Sequence, residues 1–180
     1  MKHRLFLLLG LSLTAAPAAA QTQASAPAPD ASVATVRAVW QTMAGYVTAA
    51  AEQVPDSLYA YRPTPEVRSF GQLIGHVAGA QYMFCAAALG DSARAEDDIE
   101  KSRTTKAELV QAMKESTEYC NRAYAQTDAA TQQPIQLFGS ERTRFFALVL
   151  NAAHDGEHYG NLVTYMRTNG LVPPSSQPRQ

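Results

Sequence analysis

The sequence has no excess of positive charge. Its 15 lysine and arginine residues face 16 aspartate and glutamate residues, which gives a formal net charge of −1. Removal of Lys2 and Arg4 with an N-terminal leader would leave 13 of those 15 basic residues and a net charge of −3. Binding to nucleic acid or to an anionic membrane surface requires a basic patch, and the sequence shows none. We therefore expect neither as a partner.

Cysteine is scarce as well, because Cys85 and Cys120 are the only two in the chain. They form no C-x-x-C motif and lie too far apart for a zinc knuckle. In an exported protein such a pair indicates a disulfide. Two buried free thiols are the alternative, since free cysteine is among the most buried residue types.

The N-terminal apolar run, residues 5–13, is too short to span a bilayer, which needs about 20 residues. It follows Lys2 and Arg4 and precedes three alanines that end at Ala20. A basic start, an apolar stretch and an A-x-A motif are typical of a secretory signal peptide, so we predict a leader over residues 1–20. The expected location after cleavage is the bacterial periplasm or the exterior.

The remainder divides into a domain and two flanking segments. Residues 21–31 are small, polar and proline-containing, which predicts a flexible tether, and residues 173–180 predict a tail for the same reason. Residues 32–172 are enough for one domain with a substantial core.

Four helices are predicted in this domain. Apolar residues at alternating spacings of 3 and 4 mark the first, over residues 31–53. The other three are bounded by capping signals and by glycine, and Glu108 is placed to form a capping box with Thr105. Their expected N-caps are Ser69, Thr104 or Thr105, and Ser140, and their expected ends are Leu89, Gln126 and Asn169.

No strand pattern is convincing, since "QPIQLF" (residues 133–138) alternates only briefly and stands alone. The predicted fold class is therefore all-α, a four-helix bundle.

Three histidines carry the main functional signal, because His3 belongs to the predicted leader. His154 and His158 are four residues apart, which places both imidazoles on one helix face, about 5–6 Å apart at Cβ. If the second and fourth helices are antiparallel, His76 lies within about 6 Å, or one turn, of their level. The three can then converge on one metal ion. The alternative interpretation is that no metal binds, that His76 is an ordinary core histidine, and that His154 and His158 are a partly exposed pair.

Three neutral imidazoles form a strong ligand set for a divalent transition metal, with a fourth position open to water or substrate. Imidazole suits Zn, Ni, Fe and Mn; we expect Zn or Ni first. Ligation requires neutral histidines, so release is expected below about pH 6.

The histidine face of the fourth helix also carries Asn151, Asn161 and Tyr165, while the opposite face is apolar. This pattern predicts a wet cleft, with these three side chains as contacts to the ligands or the substrate. The alternative is that they are ordinary surface residues.

A second motif overlaps the first. "HDGEH" (residues 154–158) matches H-x-x-E-H, a zinc-peptidase pattern in which Glu157 would be the general base. That class takes its third ligand from a carboxylate well downstream, and no Asp or Glu follows Glu157. A peptidase is therefore a minor alternative.

The two cysteines test the helix directions. Each lies 16 residues beyond its expected cap, Ser69 for Cys85 and Thr104 for Cys120. Parallel second and third helices would put them at one height. Antiparallel helices would separate them by roughly 16 Å, too far for a disulfide, which needs Cα atoms within about 7 Å.

Two stretches, "YRPTPEVRSFGQLIGHVAGAQ" (residues 61–81) and "HDGEHYGNLVTYMRTNGLVPPSS" (residues 154–176), resemble the DinB-like (YfiT-like) superfamily. The resemblance implies an up-down-down-up four-helix bundle with His76, His154 and His158 as ligands of one metal. Family members include thiol-dependent transferases and a maleylpyruvate isomerase. Predicted export sets this chain apart, because a cytosolic thiol cosubstrate is hard to supply outside the cell.

The combined expectation is an exported metal-dependent enzyme of hydrolase or thiol-dependent transferase type, with a small-molecule substrate. The alternative is a non-catalytic bundle that holds a metal. We expect no stable membrane insertion after cleavage of the leader, and a homodimer is a candidate assembly.

Overall fold

Four long helices and a small hairpin make up the part of the chain that the computed structural model describes, residues 30–178. The predicted leader and nearly all of the tether lie outside these residues. The long helices confirm the predicted all-α bundle. The elements are α1 (Ala31–Gln53), α2 (Phe70–Leu89), α3 (Asp98–Ser102), α4 (Lys106–Tyr124), α5 (Asp128–Thr131), β1 (Pro134–Leu137), β2 (Ser140–Thr143) and α6 (Arg144–Thr168), with 3-10 turns at Asp56–Leu58 and Pro174–Ser176.

Two predicted caps set where α2 and α4 begin. The Ser69 hydroxyl accepts a hydrogen bond from the backbone N–H of Gln72, and the Thr105 hydroxyl does the same for Glu108. The side chains of Gln72 and Glu108 in turn accept hydrogen bonds from the backbone N–H groups of Ser69 and Thr105. Both helices therefore start with a full capping box. Gly90, with φ of 77°, ends α2.

The region before α6 differs from the prediction. Strands β1 and β2 form an antiparallel hairpin, and its two-residue turn, Phe138 and Gly139, has positive φ at both positions. Ser140 therefore lies in a strand, and Thr143 caps α6 instead, accepting a hydrogen bond from the N–H of Phe146.

Contacts along the helices give their directions. Moving down α2, Gly71, Gln81 and Cys85 meet Leu109, Ser116 and Cys120 of α4, in ascending order on both helices. Helices α2 and α4 are therefore parallel. Against α6 the order reverses, since the backbone at Arg68 meets Tyr165 whereas Phe84 meets His154. Helix α1 runs with α6, because Met43 faces Gly156 and Tyr46 stacks on Tyr159.

The parallel pair brings the cysteines together. Cys85 and Cys120 are fully buried and lie at disulfide distance, with Cα atoms 5.3 Å apart. The same interface holds a buried polar network: Trp40 of α1 donates its indole N–H to Gln81 (2.9 Å), whose amide donates to Ser116 (3.1 Å). Trp40 also stacks on Tyr124. Within residues 30–178, no helix combines the length and hydrophobicity that crossing a membrane requires.

Candidate metal centre

Three imidazoles converge between α2 and α6. The Nε2 atoms of His76 and His158 are 3.1 Å apart, those of His154 and His76 are 3.2 Å apart, and those of His158 and His154 are 3.0 Å apart. The sequence predicted that these residues lie within about one turn of each other on an antiparallel pair, and the structure brings all three together.

Neutral imidazoles cannot satisfy one another in this triangle. Each Nε2 offers either one N–H or one lone pair, so among three of them pointing at a common centre at least two like groups, lone pairs or N–H bonds, face each other. A cation at that centre resolves the conflict. For bonds of about 2.1 Å, adjacent ligand nitrogens are about 3.0 Å apart in an octahedral site and about 3.4 Å apart in a tetrahedral one. The observed triangle fits a divalent metal.

The site holds its histidines in the neutral form that ligation requires. Burial, followed by the charge of Arg68 and by His158, lowers the pKa of His76 to about 4. Burial, followed by His158 and His76, lowers the pKa of His154 to about 3. Burial also lowers the pKa of His158. At neutral pH all three rings are therefore uncharged.

Two carboxylates beside the histidines were not found from the sequence. Oε1 of Glu96 lies 3.5 Å from Nε2 of His154 and 3.8 Å from Nε2 of His76. Oε2 of Glu100 lies 3.9 Å from Nδ1 of His76. Both come from residues 91–103, which lie between the predicted second and third helices.

Two glycines of α2 allow this connection to approach. A Cβ at Gly75 would lie 2.9 Å from the Cα of Glu100, and one at Gly79 would overlap the carbonyl of Glu96. Both flank His76 in the stretch "GHVAG". The G-x-x-x-G spacing around a histidine was the signal in the sequence for this close contact.

Arg68 adds a positive charge at the edge of the site. Its Nε donates to both oxygens of Glu100, at 3.2 and 3.0 Å, and its side chain is 42% exposed. The guanidinium lowers the pKa of all three histidines.

A cavity of about 590 Å³ opens beside His158. Arg68, Glu100, Asn161 and Tyr165 contribute its polar lining. Two of the predicted contact residues are thus placed here: the Asn161 amide is 3.2 Å from Nδ1 of His158, and the Tyr165 hydroxyl donates to the carbonyl of Arg68 at 2.8 Å.

Asn151 is not brought to the histidines. It is fully buried, and its amide donates to the Tyr124 hydroxyl at 3.1 Å and contacts the sulfur of Cys85 at 3.8 Å. The predicted wet face is therefore buried at Asn151, where it packs on α2, and it borders the cavity only further along α6, at Asn161 and Tyr165. The opposite, apolar face is partly open, with Val149 41% exposed.

Two acidic residues of α6 lie off the triangle. Glu157 is exposed, so it does not face the histidines as the H-x-x-E-H pattern would require. Asp155 is fully buried, and within the described residues neither of its oxygens has a hydrogen-bond partner. Burial raises the pKa of Asp155 well above its usual value.

The fold and the site together define a helical bundle with a cluster of three histidines that could hold a metal ion. A family model described as the DinB superfamily matches residues 39–162, more than half of the chain. The chain therefore belongs to the DinB superfamily. No curated protein matches it significantly.

Solved structures agree on the fold. A DinB-like protein from Bacillus cereus ATCC 10987 superposes with a TM-score of 0.65 at 15% identity, covering 77% of this chain and 93% of that one. A DinB-like protein from Bacillus subtilis gives 0.64 at 23% identity, covering 81% and 99%. A mutant of the mycothiol-dependent maleylpyruvate isomerase gives 0.62 at 14% identity, covering 72% of this chain and 60% of that one.

Proposed function

We propose that His76, His154 and His158 bind one divalent transition metal, and that the protein is a metal-dependent enzyme acting on a small molecule. The triangle of Nε2 atoms, with edges of 3.0–3.2 Å, carries the proposal. Zn and Ni are the favoured ions among those that imidazole suits.

The cavity beside His158 is the proposed substrate site. A metal held by the histidines supplies a Lewis acid that lowers the pKa of a bound water or thiol. The chain itself supplies the orientation: Asn161 holds the Nδ1 side of the His158 ring, and Tyr165 anchors the loop at Arg68. Arg68 offers a cation to an anionic group of a substrate.

Two reaction types fit this arrangement. The structural likeness to a mycothiol-dependent isomerase supports thiol-dependent chemistry, while predicted export supports hydrolysis, which needs no cosubstrate beyond water. A non-catalytic, metal-holding role would require the coordination sphere to be closed by protein ligands. The cavity at His158 supports an open one.

Metal analysis tests the proposal. Protein purified without chelator should contain about one equivalent of metal, measured by elemental analysis, and His158→Ala should lose it. Leu162→Ala is the matched control, since this buried leucine lies one turn further along α6 and its loss destabilises the helix without removing an imidazole. A His158→Ala protein that keeps full metal occupancy would contradict the proposal.

Export is part of the same proposal. The basic, apolar and A-x-A pattern of residues 1–20 supports it, and so does the cysteine pair at disulfide distance. After expression of the full chain in a bacterium, N-terminal sequencing should find mature protein that begins at Gln21 in the periplasm or the medium. Uncleaved protein in the cytoplasm would overturn export.

A further inference from the structure

We infer that Glu96 is a fourth protein ligand of the metal, bound on the side of His76 and His154, so that the side of the metal at His158 is left open to the cavity. This inference rests on the proposed metal site and concerns which protein group completes it.

The distances from Glu96 follow a pattern. Its Oε1 lies 3.5 Å from Nε2 of His154 and 3.8 Å from Nε2 of His76, and no ion pair joins it to His158 within the described residues. The Glu96 carboxylate therefore lies on the His76 and His154 side of the triangle, away from His158.

The cavity occupies the complementary side. Of the three histidines, His158 alone contributes to its lining, together with Asn161 and Glu100. Glu96 does not line this cavity. With Glu96 bound on the side of His76 and His154, the side of the metal at His158 would face the cavity and remain available to substrate.

The backbone of Glu96 is held where this ligation needs it. Its carbonyl occupies the space above Gly79, one turn beyond His76 on the same helix. The side chain is 37% exposed, so it is free to move the short remaining distance to a bound metal. Its negative charge also offsets a divalent ion among neutral imidazoles and beside Arg68.

Cobalt binding to the purified mature protein tests the assignment. The affinity for Co²⁺ is measured by chelator competition at physiological salt for wild type, Glu96→Gln and Glu157→Gln. The second variant is the matched control, because it removes the same charge from an exposed position beside His158. We expect Glu96→Gln to weaken binding by about 100-fold or more, beyond the usual effect of an outer partner, and Glu157→Gln by less than about 3-fold.

Direct observation of the ligand completes the test and does not depend on a variant. X-ray absorption and a structure of the Zn²⁺-loaded wild type should show a Glu96 oxygen at about 2.0–2.2 Å from the metal, and the Co²⁺ absorption spectrum should change in Glu96→Gln alone. Equal affinity and spectra in Glu96→Gln and wild type, or a water molecule between Glu96 and the metal, would overturn the inference. A wild type that binds no metal would instead overturn the proposed function.

Discussion

The carbonyl group of Glu96 occupies the space that a side chain at position 79 would need. Gly79 therefore does more than permit helix packing. It sets how closely the connection between α2 and α4 approaches His76, and with it the position of the Glu96 carboxylate.

Gly79→Ala should weaken metal binding although it removes no polar group. The new methyl group must displace the backbone at Glu96, and we expect an affinity loss of at least about 10-fold, comparable with loss of an outer partner. Gly160→Ala is the control, because nothing lies within 4 Å of that exposed helical glycine. It should leave affinity unchanged and add about 0.5–1 kcal/mol of stability. Calorimetric titration with Zn²⁺ measures the affinity of each variant, and equal affinities in the two would contradict the prediction.

The metal-free protein should lose stability in acid through its histidines. The pKa values of His76 and His154 are lowered to about 4 and about 3, below the value of about 6.5 in an unfolded chain. The unfolded state therefore binds more protons, and the histidine contribution to folding falls as the pH drops from about 6.5 towards these values.

The partly exposed Glu96 and the buried Asp155 have pKa values raised by desolvation, and they act in the opposite sense. Comparing the pH dependence of unfolding in wild type with that in a histidine variant isolates the contribution of that histidine to stability. Between pH 7 and pH 4.5, urea unfolding should show a larger loss of free energy in metal-free wild type than in His154→Gln. A larger loss in the variant would count against neutral, buried imidazoles.

These low pKa values also change the expected pH of metal release. The value for free histidine predicts release below about pH 6, but protons compete less well for rings that stay neutral to about pH 4. We expect nearly full occupancy at pH 5.5 and loss between about pH 5 and pH 3.5, measured by elemental analysis after dialysis. Release complete by pH 6 would show that the imidazoles are solvated.

The Cys85–Cys120 pair should resist alkylation in unreduced, denatured protein and react fully after reduction. A bridge across a sequence separation of 35 residues should contribute about 3–4 kcal/mol, chiefly by restricting the unfolded chain. Cys85→Ala with Cys120→Ala should unfold at correspondingly lower urea concentration. Two freely alkylated thiols in the unreduced sample would refute the bridge.

Gln81→Leu should destabilise the bundle by about 2 kcal/mol, because it leaves the buried indole N–H of Trp40 without an acceptor. Gln41→Leu, at an exposed position of α1, should change the free energy of unfolding by less than about 0.5 kcal/mol. Thermal and urea unfolding measure both. A Gln81→Leu protein as stable as wild type would mean that the amide network contributes nothing net.

The parts of the site that lie on periodic elements were predictable. His154 and His158 share a face because of helical spacing alone, and the cap at Ser69 together with the predicted end of the fourth helix at Asn169 gave the level of His76 to within a turn. The caps are local: the residues that specify them lie within four positions of each other.

The parts that depend on tertiary contact were not predictable in this way. Glu96 and Glu100 lie in a stretch without hydrophobic periodicity, and only the packing of that stretch against Gly75 and Gly79 brings them to the histidines. The hairpin was missed because its turn, Phe138-Gly139, lacks the Asn-Gly or Asp-Gly pair that usually marks such turns. Asn151 was misplaced because it lies about one turn before His154 on α6, where the interface is closed by Cys85 and Tyr124 and leaves no cleft.

His76 and His158 are 82 residues apart in the chain, so the triangle exists only once α2 and α6 have packed. An unfolded chain offers a metal no more than the local pair His154 and His158. With the proposed metal at this site, its concentration would act as a folding variable for this protein, since an ion that binds the native state more tightly shifts the equilibrium towards it by mass action. The supply of that metal would then help to set how much of the protein is folded.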